Sequence, residues 1–289
     1  MKKLLLSLVI IPMLSSAKDC ERPPIIGVAH AAIYCENINK TRSFLKEYFG
    51  FDESIEYKNT DGSTRLSAIK INERQIIELF PEKESGSDRL LHYAIETTDA
   101  EGMRQYLKTK GYNVPDKVNK LDMGIINFNM TDPTGHTLEF LQFTGDGDFG
   151  KTRGMYMPNT RIANRMNHLG FYVPNAKVAE DFFCDALGFN IEWKMVSESG
   201  NVRVMLLRVP EGEDAIELLM SETTPTFKDL LFDNHVSLEV INLSDALNRL
   251  SSRKFPDYVQ APGKPSVMKN GKSVINFALP DGTRLELME

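Results

Sequence analysis

The chain has 289 residues, 42% hydrophobic and 26% charged, a globular composition that excludes a disordered, collagen-like or coiled-coil protein. Thirty-four Lys and Arg against 40 Asp and Glu leave a net charge of −6, so there is no basic excess from which to build a phosphate-tracking groove, and nucleic acid is excluded as a partner.

The N-terminus reads as a targeting segment rather than as fold. Lys2 and Lys3 precede an apolar run, Leu4 to Leu14, and Ser15, Ser16 and Ala17 supply the small residues a signal peptidase reads. The expectation is a signal peptide at 1–17, cleavage after Ala17, and a secreted or periplasmic mature chain. Cys20 falls near the new N-terminus, but Asp19 stands where a lipoprotein signal wants a small residue, which argues against a lipid anchor. The apolar run is too short for a transmembrane helix and nothing later is longer. Three cysteines, Cys20, Cys35 and Cys184, match no zinc spacing and make no disulfide framework.

Beyond that segment the chain is a duplication. His30 to Phe51 aligns with His168 to Phe189 without a gap, matching the histidine, Tyr34 with Tyr172, Asn37 with Asn175, Phe44 with Phe182, and the Gly50-Phe51 pair with Gly188-Phe189. The join falls in the Gly-rich, polar stretch from Gly145 to Arg161, giving an N-terminal domain at 18–150 and a C-terminal domain at 151–289. Each half divides again. His92 and His235 each open an alternating strand followed by a helix-period run, and DPTGHTLEF (Asp132 to Phe140) and LPDGTRLEL (Leu279 to Leu287) each place turn residues before a strand. Four modules result, each reading strand, helix, then about three strands: an antiparallel-rich α+β architecture.

Period-two alternation puts His30, Ala32 and Tyr34 on one face of the first strand, with His92, His168 and His235 at the matching positions of the other modules; the opposite face is apolar and suits packing under a helix. The last strands carry Glu78, Glu139, Glu217 and Glu286 between apolar neighbours, so each carboxylate also faces away from the helix. A carboxylate buried there costs several kcal/mol unless it is paired or binds a metal. The order His, Glu, His, Glu occurs in both halves, at intervals of 48, 14 and 47 residues in the first and 49, 18 and 51 in the second. Neutral imidazole with carboxylate suits a first-row divalent ion such as Ni, Zn, Fe, Mn or Co, and four such ligands on an octahedral centre leave two adjacent positions for vicinal substrate oxygens.

With those histidines, the GF after each odd module's helix, and the DPTGHTLEF and PDGTRLELM endings, the chain resembles the vicinal oxygen chelate superfamily, which includes glyoxalase I, methylmalonyl-CoA epimerase, extradiol dioxygenases and bleomycin resistance proteins. The resemblance implies βαβββ modules paired into two glyoxalase-like domains, each a curved sheet around a central cavity. It implies metal ligands His30, Glu78, His92 and Glu139 in one half and His168, Glu217, His235 and Glu286 in the other. In the glyoxalase and epimerase branch a metal polarises a carbonyl while a glutamate moves a proton between neighbouring carbons, a role that falls to Glu139 and Glu286.

Tyr34 and Tyr172 share the histidine face as candidate donors to a substrate oxyanion, and Arg65 and Arg203 are candidate clamps for a substrate carboxylate. His136, after Gly135 in a turn, reads as exposed. Glyoxalase I acts on a cytosolic glutathione adduct, which sits poorly with export, so the expectation is proton transfer on another small α-hydroxy carbonyl. Two alternatives remain open: extradiol ring cleavage with His168, His235 and Glu286 as the iron triad, and non-catalytic sequestration of a small molecule. Module pairing, oligomeric state and the possible degeneracy of one site are not legible in the residues.

Overall fold

A computed structural model describes residues 20–86 and 88–289, so the expected signal peptide lies outside the described residues. Module one runs β1 (Ile25–Cys35), α1 (Ile38–Glu47), β2 (Glu53–Lys58), β3 (Thr64–Lys70) and β4 (Ile76–Pro81); module two runs β5 (Leu90–Thr97), α2 (Ala100–Thr109), β6 (Asn119–Leu121), β7 (Ile125–Thr131) and β8 (Thr137–Phe143). A short helix, α3 (Gly147–Lys151), lies in the join. Module three is β9 (Arg165–Tyr172), α4 (Ala176–Glu180) continued by a π-helical stretch, Asp181–Ala186, then β10 (Asn190–Val196), β11 (Val202–Arg208) and β12 (Ala215–Leu219). An added helix, α5 (Phe227–Asp233), precedes module four: β13 (His235–Glu239), α6 (Leu243–Ser251), β14 (Ser266–Val267), β15 (Ser273–Ala278) and β16 (Arg284–Met288).

Module helices start where an Asn or Asp side chain accepts a hydrogen bond from the first turn: Asn37 from Lys40 N, Asp99 from Gly102 N, Asn175 from Val178 N and Asn242 from Asp245 N. The repeated Gly-Phe pair ends the helices of the odd modules, with Gly50 and Gly188 both at φ +79°, a left-handed turn that any side chain would strain.

Modules pair within each half. The strands form two curled eight-stranded mixed sheets, ordered β2-β3-β4-β1-β5-β8-β7-β6 and β10-β11-β12-β9-β13-β16-β15-β14. In each, the first and last strands of both modules are the four central neighbours: β4 runs parallel to β1, β1 antiparallel to β5, and β5 parallel to β8, with the same pattern in the second half. The apolar faces share one core with the helices. Fully buried Phe44, Leu45, Met103 and Leu107 come from the first half, and Phe171, Phe182 and Phe183 from the second. Tyr93 of β5 stacks on Phe171 of β9 with centroids 4.7 Å apart, and the Tyr106 hydroxyl donates to Ala186 O, so the halves are packed together. Each large buried side chain contributes roughly 1.5–3 kcal/mol. Cys35 and Cys184 serve this interior as free thiols, pushed by burial up to about 12 and about 11.

Candidate metal centre and its counterpart

The alternation read from the sequence carries through to the sheets' polar faces. Ala32 is opposite Glu78 on one side and His92 on the other, while Ala94 is opposite His30 and Glu139, so four adjacent strands each contribute one side chain around two small residues. Gly170 and Ser237 hold the same positions in the second half: Gly170 faces Glu217 and His235, and Ser237 faces His168 and Glu286. Small residues at these crossings leave room for imidazoles to lean together.

In the first half the histidine Nε2 atoms of His30 and His92 stand 2.9 Å apart. Glu139 Oε2 lies 3.4 Å from the first and 3.3 Å from the second, and Glu78 Oε2 lies 3.7 Å from each. Atoms about 2.1 Å from one ion and at right angles to each other are about 3.0 Å apart, so His30, His92 and Glu139 fit a first-row divalent cation, with Glu78 beside both histidines. His30, His92 and Glu139 each offer a ligating atom within 4.8 Å of the others. The Asn127 amide donates to Glu139 Oε1 at 2.7 Å, which orients the carboxylate with Oε2 toward the histidines. Electrostatically the set calls for a cation. Burial pulls the His30 pKa down, yet Glu78 and Glu139 outweigh it and leave it raised. Burial pushes Glu139 up, but hydrogen bonds to His30 and His92 hold it well below the carboxylate range.

The second half repeats the positions with different neighbours. His168 Nε2 and His235 Nε2 are 3.1 Å apart, and Glu217 Oε2 is 3.9 and 3.5 Å from them. These three also have ligating atoms within 4.8 Å of one another. Glu286 has turned toward Ser237, whose hydroxyl donates to Oε1 at 2.8 Å, and stands 3.7 Å from His168. Into this cluster comes Arg284, two residues before Glu286 on β16 and therefore on the same face. Its Nη2 lies 2.6 Å from both ring nitrogens of His235 and 3.8 Å from Glu217 Oε2. Here burial, then Arg284, take the His168 pKa down to about 3, and the same causes put His235 well below its ordinary value. Burial, against the pull of Arg284, raises Glu217 to about 7.

Access differs as well. A hollow of about 400 Å³ between the halves is lined by His92, Thr134, His136 and Thr137 from one and by Tyr172, Pro174, Pro225 and Leu230 from the other. The His92 side chain is 13% exposed, whereas that of His235 is 0% exposed. Helix α5 closes over the second cluster: Asp233 O is 2.7 Å from His235 Nδ1, and Phe232 covers the Arg284 guanidinium at 4.5 Å from its ring centroid. A cavity of about 520 Å³ beside α5 is lined by Arg203, Lys228 and Phe232 but by none of the four cluster residues.

Tyr172 therefore sits at the mouth of the first site, while Tyr34 is half-buried on β1. Arg65 is exposed with its guanidinium 5.4 Å from the Tyr57 ring, and Arg203 pairs with Glu222 at 3.3 Å on the cavity beside α5. His136 is half-buried rather than exposed: its Nδ1 is 3.1 Å from Thr134 Oγ1 and its ring packs 4.9 Å from Phe171, because the turn is folded against the other half. Arg284 and α5 escaped the sequence reading. Their signals were a charge on the ligand face and the four extra residues between Glu217 and His235.

Residues 27–140 and 165–287 match the Glyoxalase/Bleomycin resistance protein/Dioxygenase superfamily, and the chain belongs to it. The fold is similar to that of an extradiol ring-cleaving dioxygenase from B. fuscum, at 15% identity over 93% of this chain and 73% of that one, with a TM-score of 0.70. It is similar to homoprotocatechuate 2,3-dioxygenase from Arthrobacter globiformis, at 16% identity over 92% of this chain and 80% of that one, TM-score 0.68. A Mn(II)-bound glyoxalase from Novosphingobium aromaticivorans is similar at 17% identity over 92% and 82%, TM-score 0.68. None of the curated proteins matches the chain. Among the described residues no helix is long and apolar enough to cross a membrane.

Proposed function

We propose that the chain is a metal-dependent enzyme of the glyoxalase type that transfers a proton at the carbon beside a carbonyl of a small α-hydroxy carbonyl substrate, and that the first half carries the reaction. The observation behind this reading is the cluster of His30, His92 and Glu139, with Nε2 and Oε2 atoms 2.9 to 3.4 Å apart and Glu78 Oε2 3.7 Å from both histidines, next to a hollow that opens on His92.

A divalent ion held by His30, Glu78, His92 and Glu139 would supply Lewis-acid polarisation of the carbonyl. Mn, one of the ions expected from the ligand types, is the ion bound by the glyoxalase of similar fold. While Asn127 keeps Oε1 in place, Glu139 is suited to accept the α-proton on Oε2, the oxygen facing the cluster, provided this carboxylate leaves the ion for the transfer. The proton leaves carbon for that oxygen and returns to the neighbouring carbon, which conserves atoms and needs no oxidant. Tyr172 lines the hollow as a donor to a substrate oxygen, beside apolar Leu90, Pro174, Pro225 and Leu230. A hollow of about 400 Å³ suits a keto acid or keto sugar rather than a polymer.

Two assays run side by side test the reading: α-proton exchange into D₂O with α-hydroxy carbonyl compounds, and oxygen uptake with catechols under Fe(II) loading. Exchange without oxygen uptake is expected. Stoichiometric oxygen uptake with a catechol would overturn it in favour of ring cleavage, and compound binding by metal-free protein without turnover would favour sequestration. The enzyme is further proposed to work outside the cytoplasm. Mass spectrometry of the mature protein should show a chain beginning near Lys18, and an intact Met1 or a diacylglycerol on Cys20 would contradict export.

A further inference from the structure

We infer that Arg284 takes the place of a metal ion in the second half, so that the chain binds one divalent ion, in the first half, and keeps the second His-Glu cluster as an internally compensated part of the fold.

The chemistry of the donor set carries the inference. A histidine binds a metal through an unprotonated nitrogen. His235 Nδ1 lies 2.7 Å from Asp233 O, an acceptor only, so Nδ1 bears the proton and Nε2 the lone pair. Arg284 Nη2 stands 2.6 Å from that Nε2 and equally 2.6 Å from Nδ1, so the guanidinium lies against the ring between its two nitrogens. A group with a permanent positive charge thus occupies the space beside the ring nitrogens that a metal ion on Nε2 would need. The same guanidinium is 3.8 Å from Glu217, so it also faces the carboxylate nearest both histidines.

Three further features hold the arginine there. Phe232 of α5 lies over the guanidinium at 4.5 Å, a cation–π contact. Ser237 draws Glu286 aside, where the first half has Ala94 and its Glu139 faces both histidines. Gly170 leaves space for the His235 ring, where the first half has Ala32. The residue two before Glu139 is Thr137, uncharged and exposed, so no cation of this kind enters the first cluster by that route. A buried Arg beside two Glu also explains how the second half can bury four polar side chains beneath α5.

The test is a count of bound Mn(II) or Co(II) by elemental analysis after chelation, reloading and dialysis of the full chain. Wild type should hold one ion, and His30→Ala with His92→Ala should hold none. Arg284→Thr, which installs the residue of the first half, should hold two, and adding His235→Ala should return it to one. One ion retained by the His30/His92 variant would overturn the inference, as would a folded Arg284→Thr protein that still holds one. If Arg284→Thr does not fold, the native-arginine pair decides alone. The count is independent of turnover: a chain that binds one ion but exchanges no proton leaves this inference standing and removes the proposed reaction. A wild type that holds no ion, or two, would overturn the inference.

Discussion

The imidazole of His235 lies across Gly170 so closely that a β-carbon on that residue would overlap the ring. The first half has Ala32 at the same crossing, opposite His92, so the two histidines cannot lie alike on their neighbouring strands. Gly170→Ala should force His235 off its seat against Arg284 and Asp233. The cost expected for such overpacking is about 1–3 kcal/mol, read from urea unfolding. Metal content, set by the first half, should not change, and an unaltered unfolding midpoint would show that the ring has room to move.

Glu139 is the carboxylate on which the proposed proton transfer depends. Glu139→Gln keeps an oxygen that can approach the ion while removing basicity, so turnover should fall by about 10²- to 10⁴-fold with metal retained. Loss of metal along with activity would assign Glu139 to binding alone. Full activity would remove it from the mechanism. A comparable loss on Glu286→Gln alone would move the reaction to the second half.

His136 connects pH to stability without belonging to the ligand set. Burial lowers its pKa below 6.5, against the opposing pull of Asp132 and Asp88. Below pH 6.5 the unfolded chain therefore takes up a proton that the folded chain refuses, and stability falls as pH drops through that window. Unfolding free energies measured from pH 7.5 to 5.5 should fall less steeply in His136→Gln than in wild type. Equal slopes would mean that the turn opens before the histidine titrates.

Much of this architecture was legible because the duplication repeats each signal. Four histidines at matching strand positions, four glutamates flanked by apolar residues, and the Gly-Phe pair that ends two helices named the modules, the central strands and the face that carries the cluster. Arg284 was harder to see. It lies within the PDGTRLELM motif that identified the strand, and a motif read for its turn and its glutamate says nothing about an arginine filling the space between two histidines contributed by other strands. Helix α5 is short and carries no buried residue of its own, so its periodicity is weak. The half-burial of His136 depends on Phe171 of the other half, a contact no local pattern contains.

The most direct measurement is proton NMR of an α-hydroxy carbonyl substrate in D₂O under anaerobic conditions, with protein carrying one equivalent of divalent ion. The α-proton signal should disappear with the loaded wild type, persist with chelated protein, and persist with His92→Ala. Exchange that continues undiminished after chelation or in His92→Ala would contradict metal-dependent proton transfer at the first half, as would a fully loaded wild type that exchanges no α-proton across the substrate class.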